Sequence, residues 1–379
     1  MKKHYCIFSA QYLPHMGGVE RYTYNLAKKL CEYGNEVTIV TSNGCDLSSY
    51  EKKDGITIFR LPCFMLLDGR YPIIKFNRKF WKLNRLFTRK KYDMVIVNTR
   101  FYIHSIYGMR FAKKINTKCI TIEHGTSHLS VHNKLLDTVG AVYEHAITWI
   151  GKKLCDNYYG VSLACNDWLE HFHIKAKGVL YNSIDLDEVE KIKKCKRKSY
   201  REEYGITEDT TVITFTGRLL KEKGLPSLLN VMDKLYSDTV NAVLFIAGDG
   251  DMEEEIEQRK SNYIIPIGRI PFEDIVDLLD ESDIFCLPSF SEGFSTSILE
   301  AVACRCYIVT TARGGAKELL IDDTYGSVIE SNEETLLYNA LKEAIENPKK
   351  RKIGAEQSYE MLKSNFTWDH VAKKVEENS

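Results

Sequence analysis

The chain has 379 residues, 44% of them apolar, which is enough for two folded domains with their own cores. Lys plus Arg and Asp plus Glu each total 52, so net charge points to no class of partner. The 11 cysteines form no CxxC pair and read as free thiols of a reducing compartment; no apolar run approaches the roughly 18 residues of a membrane span.

No signal peptide is visible, since the first three residues lead straight into a short strand at 5–8. The expected location is therefore cytoplasmic. Residues 18–30 read as a helix and 36–40 as the next strand. Further strands are expected at 93–97 and 118–122, with a helix over 103–115 between them. A long helix is expected over 133–158, then a short strand at 159–162 and a helix to about residue 171. Strand–helix alternation of this kind gives a parallel sheet covered on both faces.

Residues 70–91 carry nine Lys and Arg and no acid. Ile73, Phe76, Phe80, Leu83 and Phe87 recur at helical spacing, which makes a basic amphipathic segment. It reads either as a surface helix on its own domain or as an interfacial helix on anionic lipid. Nucleic acid is the weakest of the readings and is not expected as a partner.

A hinge-like stretch at 181–185 and an aperiodic basic run at 191–201 precede a second alternating block. Its strands are expected at 212–215, 242–246, 262–267, 284–287 and 307–310. The fold class is thus α/β, with two doubly wound Rossmann-like domains facing across a cleft: residues 1–182 and 183–365. A last helix over about 366–379 is expected to return to the first domain. Ligands of such sheets sit beyond the carboxyl ends of the strands.

Four stretches carry chemistry. Pro14 to Glu20 links the first strand and helix, and its paired Gly17 and Gly18 allow a ligand close to the backbone and tolerate positive φ. It is not the GxGxxG of a nicotinamide dinucleotide site. Glu123-His124-Gly125 follows a strand, which places His124 for hydrogen bonding. The nearby His128, His132 and His145 raise the question of a metal, but their spacing is unlike the HExxH of a zinc helix, and no metal is expected. Residues 217–224 follow a strand and offer Arg218 as a fork and Lys223 as a point charge to a diphosphate. The Asp185/Asp187 and Asp249/Asp251 pairs read as helix caps rather than a cation site.

The fourth stretch, Ser289 to Ala301, is the most informative. It runs from a strand through a glycine-containing loop into a helix, with Glu292 in the loop and Glu300 on the helix. The first turn, at Ser295, Thr296 and Ser297, presents free N–H groups and a positive dipole end to a phosphate. Two carboxylates beside it suit the hydroxyls of a ribose and a sugar.

In the form EGFxxxxLEA this stretch resembles the signature of glycosyltransferase family 4, retaining enzymes of GT-B fold. The resemblance extends in order through GGVE at 17–20, GRLxxxKG at 217–224, GDG at 248–250, Gly268 and ARGGAKEL at 312–319. It implies transfer from a nucleoside-diphosphate sugar, with no metal or other cofactor. Gly17 and Gly18 would approach the diphosphate and sugar. Arg218 and Lys223 would neutralise the diphosphate, Glu300 would take the ribose hydroxyls, and Glu292 and His124 would contact the donor sugar. Ser295, Thr296 and Ser297 would hold phosphate, and Ile270 lies where the family packs the base. The chain departs from the pattern at Ser295, where glycine is usual, and at residues 305–308, where GxPV is usual.

The loop at 123–129 with its long following helix is similar to capsule and lipopolysaccharide assembly members. That implies a glycan acceptor, and the basic segment at 70–91 suggests that it is lipid-linked and reached at the inner face of the cell membrane. The alternatives are a sugar-nucleotide epimerase or hydrolase of the same fold and a non-catalytic sugar-nucleotide-binding subunit.

Overall fold

The computed structural model describes residues 2–379 apart from 16, 68 and 129–132. The expected Met16 and His132 therefore lie outside the described residues. In chain order the first elements are β1 (His4–Phe8), α1 (Gly18–Glu32), β2 (Glu36–Ser42), β3 (Tyr50–Lys53), β4 (Ile56–Leu61), β5 (Cys63–Leu66), β6 (Tyr71–Ile74) and α2 (Arg78–Thr88). Then come β7 (Met94–Asn98), α3 (Ile103–Lys114), β8 (Lys118–Glu123), α4 (Lys134–Lys152), β9 (Tyr158–Gly160), α5 (Leu163–Glu170) and β10 (Gly178–Val179). The second half runs α6 (Leu186–Lys194), α7 (Tyr200–Glu203), β11 (Thr211–Thr216), α8 (Leu225–Ser237), β12 (Ala242–Ala247), α9 (Glu253–Gln258) and β13 (Ile264–Gly268). It continues with α10 (Phe272–Asp280), β14 (Ile284–Leu287), α11 (Thr296–Ala303), β15 (Tyr307–Thr311), α12 (Ala316–Leu319), β16 (Ser327–Ile329), α13 (Glu334–Glu346), α14 (Pro348–Asn365) and α15 (Trp368–Glu377).

The chain divides into two units, Met1–Asn182 with Trp368–Ser379, and Ser183–Thr367. In the first, eight strands pair in the order β10-β9-β8-β7-β1-β2-β4-β3. Every pair is parallel except β3 with β4. Strand β7 is buried along its whole length, as a strand covered by helices on both faces must be. Phe8, Phe59, Phe80, Phe87, Met109 and Phe111 fill the core on one face. The last helix, α15, buries Trp368, Val371, Ala372 and Val375 in this unit, and its Trp368 meets Tyr22 of α1 edge-on at 5.0 Å. Phe366 and Thr367, expected to open that helix, stay with the second unit, where Ile184 N donates to Phe366 O at 3.0 Å.

The second unit holds six parallel strands in the order β13-β12-β11-β14-β15-β16. Strands β11, β12, β14 and β15 are wholly buried. The chain leaves β11 toward β12 and β13, then crosses back to lay β14 on the other side of β11. That reversal is where a doubly wound sheet opens a crevice.

Four expectations need correcting. Residues 70–91 are not one helix: β6 pairs antiparallel with β5, and only Arg78–Thr88 is helical. The helix expected to reach residue 158 stops at Lys152, because Leu154 N and Cys155 N both turn back onto Gly151 O and Cys155 is buried under β8. The basic run at 191–201 is not aperiodic throughout, since α6 extends to Lys194 and α7 begins at Tyr200; its cations clamp the acidic face and end of α10, with Lys193 to Asp280 at 2.9 Å, Lys198 to Asp274 at 2.6 Å and Lys196 to Glu281 at 2.6 Å. Asp185 does cap α6 by accepting from Glu188 N, but α9 has Met252 at its N-cap with no side-chain cap bond, and Asp249 instead pairs with Arg269 at 3.0 Å. No helix among the described residues is long and apolar enough to cross a membrane.

Candidate functional site

The loops that leave the carboxyl ends of β11, β12 and β14 are pressed backbone to backbone. Gly217 N donates to Ala247 O at 3.0 Å, and Leu219 N donates to Asp249 O at 2.8 Å. Two glycines make this contact obligatory. At Gly248, φ is +152° and a Cβ would stand 1.8 Å from Gly217 O; at Gly224, φ is +76° and a Cβ would stand 2.0 Å from Pro288 O. Any side chain there would drive the loops apart.

Across the reversal, Lys223 Nζ donates to Glu292 Oε1 at 2.6 Å, and Ser289 Oγ donates to the same oxygen at 2.7 Å. Phe290 N donates to Glu222 O at 2.8 Å, so backbone and side chain both tie the β11 loop to the β14 loop. The sequence assigned Lys223 to a phosphate and Glu292 to a sugar; the structure joins the two directly. Helix α11 starts immediately afterwards, with Ser295 at its N-cap and no side-chain cap bond there. The N–H groups of its first turn, which includes Thr296 and Ser297, are thus not covered by the cap residue. Ser297 Oγ faces Gly217, and Glu300 is buried, at 5% exposure, on the next turn. Arg218 is exposed, and its guanidinium makes no ion pair among the described residues. Ile270, after β13, is partly buried against the core around Val243 and Phe245.

The first unit has its own cluster at the carboxyl ends of its strands. Gly17 caps α1 with φ −128°, and Gly18 is the first helical residue, so neither needs the positive φ that the sequence allowed for. A Cβ on Gly18 would meet nothing within 4 Å; one on Gly17 would meet Glu20 Oε2 at 2.7 Å. Burial pushes the Glu20 carboxyl up.

His124 lies after β8, edge-on to Tyr22 at 4.9 Å. Its Nε2 is 3.1 Å from Asn98 Oδ1, while Asn98 Nδ2 donates to Thr23 Oγ1 at 2.7 Å. That orientation of the amide makes His124 Nε2 the protonated nitrogen and leaves Nδ1 as an acceptor. Burial pushes its pKa down to about 3, so the ring is neutral at physiological pH.

Beneath the loop runs a buried network absent from the sequence expectations. Glu123 Oε1 accepts from the backbone N–H groups of His124 and Gly125 at 3.0 and 3.1 Å. Its other oxygen is bonded to Arg100 Nη1, and Arg100 Nη2 donates to Glu144 Oε2 at 2.9 Å. These three side chains are 0–3% exposed. The only hint in the sequence was a carboxylate ending an otherwise apolar strand.

With this geometry in view, comparison with known proteins is informative. Residues 16–188 match the model for Glycosyltransferase Family 4, and residues 196–361 match that for Glycosyl transferases group 1. Together with the two Rossmann-like units, these matches make the chain a glycosyltransferase of the family 4 type, built on the GT-B fold. An uncharacterized glycosyltransferase of Methanocaldococcus jannaschii is 27% identical over 97% of this chain and 95% of its own. The GPI3 subunit of phosphatidylinositol N-acetylglucosaminyltransferase from Saccharomyces cerevisiae is 24% identical over 97% of this chain and 80% of its own. Among solved structures, Anabaena HepE in complex with UDP superposes with a TM-score of 0.76 at 18% identity, over 100% of this chain and 99% of its own. The same protein has also been solved with UDP-glucose.

Two outcomes follow from the first unit. Arg100→Met should destabilise the protein by roughly 3–5 kcal/mol in denaturant unfolding, because it leaves two buried carboxylates without their cation; a loss below about 1 kcal/mol would contradict the network. His104 is fully buried, its Nε2 2.9 Å from Val40 O, and burial lowers its pKa from 6.5 to about 4. The unfolded chain therefore takes up this proton first as pH falls. The stability is complete above pH 6.5 and is lost toward pH 4, at up to about 1.4 kcal/mol per pH unit. In His104→Gln the slope of unfolding free energy between pH 6.5 and 5 should flatten by about that amount, and an unchanged slope would refute the assignment.

Proposed function

We propose that this glycosyltransferase moves a sugar from a nucleoside-diphosphate sugar to a hydroxyl of a lipid-linked or other glycan acceptor, with retention of anomeric configuration and without a metal. The observation that carries the reading is the Lys223–Glu292 contact at the strand-order reversal, with the start of α11 directly after it. Such a place suits a diphosphate: cations and uncovered N–H groups converge at the carboxyl end of a doubly wound sheet. The ligand in the solved Anabaena structures, UDP or UDP-glucose, belongs to the same chemical class.

In this reading the exposed Arg218 forks onto the diphosphate, and Lys223 turns to it from Glu292. The first turn of α11 takes the phosphate whose charge grows as the sugar–phosphate bond breaks, a form of electrostatic stabilisation placed where charge develops. Lys223 on leaving frees Glu292 to accept from a sugar hydroxyl, and Glu300 takes the ribose hydroxyls. Ile270 meets the base. The acceptor oxygen attacks from the face the phosphate leaves and its proton passes to the departing phosphate oxygen, so no protein nucleophile is required. On the first unit, Gly18 lets backbone approach a ligand, and neutral His124 accepts from a hydroxyl through Nδ1.

A lipid-linked acceptor is favoured by the exposed side of α2 and the hairpin before it. While Phe80, Leu83 and Phe87 are buried, Trp81 and Phe76 are 52% and 56% exposed. Phe64 on the hairpin is 57% exposed. Arg78, Lys79, Lys82 and Arg85 are exposed around them. Aromatic groups among cations suit an anionic membrane surface.

The direct test is a thermal-shift and transfer assay across UDP-, GDP- and ADP-sugars. One donor should raise the melting point and be consumed only with acceptor, and Arg218→Ala should lower turnover by about 100-fold or more. Free sugar or an epimer formed without acceptor would instead identify a hydrolase or epimerase. Donor binding without turnover on any acceptor would identify a binding subunit. For the membrane reading, the protein should co-sediment with phosphatidylglycerol vesicles at low salt. Lys79→Glu with Lys82→Glu should weaken that by about 10-fold or more, at about 1 kcal/mol per basic residue. Equal recovery in the supernatant with and without vesicles would end it.

A further inference from the structure

Three histidines that are far apart in sequence meet on the first unit, beside the loop that carries His124. His128 lies in the loop after β8, His145 is on α4, and His171 closes the C-terminus of α5. One ring nitrogen from each lies within 4.8 Å of the others. His145 Nε2 and His171 Nε2 are 3.2 Å apart. Two ligands at the usual zinc–nitrogen distance of about 2.0–2.1 Å, in tetrahedral geometry, would be about 3.3–3.4 Å apart. The pair is thus already at the spacing a metal would set.

The surroundings match the chemistry. His128 Nδ1 lies 3.1 Å from Glu144 Oε2. The two atoms are close but form no hydrogen bond, so Glu144 acts on the ring by its charge. Glu144 belongs to the buried Glu123–Arg100–Glu144 network, in which two carboxylates face one guanidinium, so the formal charge beside the imidazoles favours a cation. The rings are held by aromatic neighbours. Trp168 stacks on His171 at 4.8 Å with 6° between planes and meets His128 edge-on at 4.9 Å. His145 and His171 are exposed, so an ion has a way in.

The geometry points to a transition-metal site of zinc class formed by His128, His145 and His171, with a fourth position open to water. Three imidazoles without thiolate suit zinc, nickel or copper and not magnesium or calcium. The ion ties the loop after β8 to α4 and α5. Through His128, Glu144, Arg100 and Glu123 it braces the backbone that carries His124. This is a bracing role, and no step of the transfer passes through the metal.

The test uses the full-length, untagged protein stripped with a chelator. Titration with zinc should give one ion per chain and a raised melting temperature. Cobalt should give visible bands of a tetrahedral nitrogen and oxygen site without thiolate charge transfer. His145→Ala and His171→Ala should each weaken zinc binding at least 100-fold. His173→Asn, a change at an exposed position whose φ of 54° asparagine accepts, should leave binding intact. The site is overturned if zinc does not bind stoichiometrically, if cobalt shows thiolate bands, or if both alanine variants bind zinc like the parent.

Discussion

Lys223 and Glu292 meet at 2.6 Å where the strand order of the second unit reverses, and the rest of its site depends on that meeting. The ammonium comes from the β11 loop and the carboxylate from the β14 loop. The two can meet because Gly224 lets the β11 loop lie against Pro288 O, and Gly248 does the same between the β12 and β11 loops. The consequence is preorganisation. The acid and the start of α11 are held by the fold, and in the proposed reading only Lys223 turns when a diphosphate binds. The pair is partly exposed and lends little stability of its own. In the proposed reading its importance is that a diphosphate can take the place of the carboxylate on Lys223, which frees Glu292 for a sugar hydroxyl.

The first unit uses burial where the second uses proximity. His124 is kept neutral by its surroundings and held by Asn98, whose amide is in turn oriented by Thr23 of α1. Glu123 grips the loop backbone from below, and Arg100 and Glu144 complete its charge balance. The same carboxylate of Glu144 lies against His128, so one network serves both the His124 loop and the histidine cluster above it.

The sequence carried the architecture well where the period was plain. Long apolar runs such as those of β11, β12 and β14 are buried on both faces, and their alternation with helices left little choice but parallel sheets. The motif loops were legible because strand, glycine and charge follow one another within a few residues. What escaped was non-local. The hairpin of β5 and β6 hid inside a run whose apolar residues also fit a helix. The acids of α10 that hold the basic run at 191–201 lie some eighty positions away. Arg100, Glu123 and Glu144 look like ordinary charges until three elements bring them together. The histidine cluster shows the same limit: judged by spacing along the chain it resembled no metal motif, because His171 arrives from a different helix than His145.

The most direct measurement is a crystal structure of the protein with a bound nucleoside diphosphate. The account predicts the diphosphate at the first turn of α11, within hydrogen-bonding reach of Arg218 and Lys223, with the ribose on Glu300. A nucleotide bound elsewhere on the second unit, with Lys223 still on Glu292 and Glu300 facing away from it, would contradict the account.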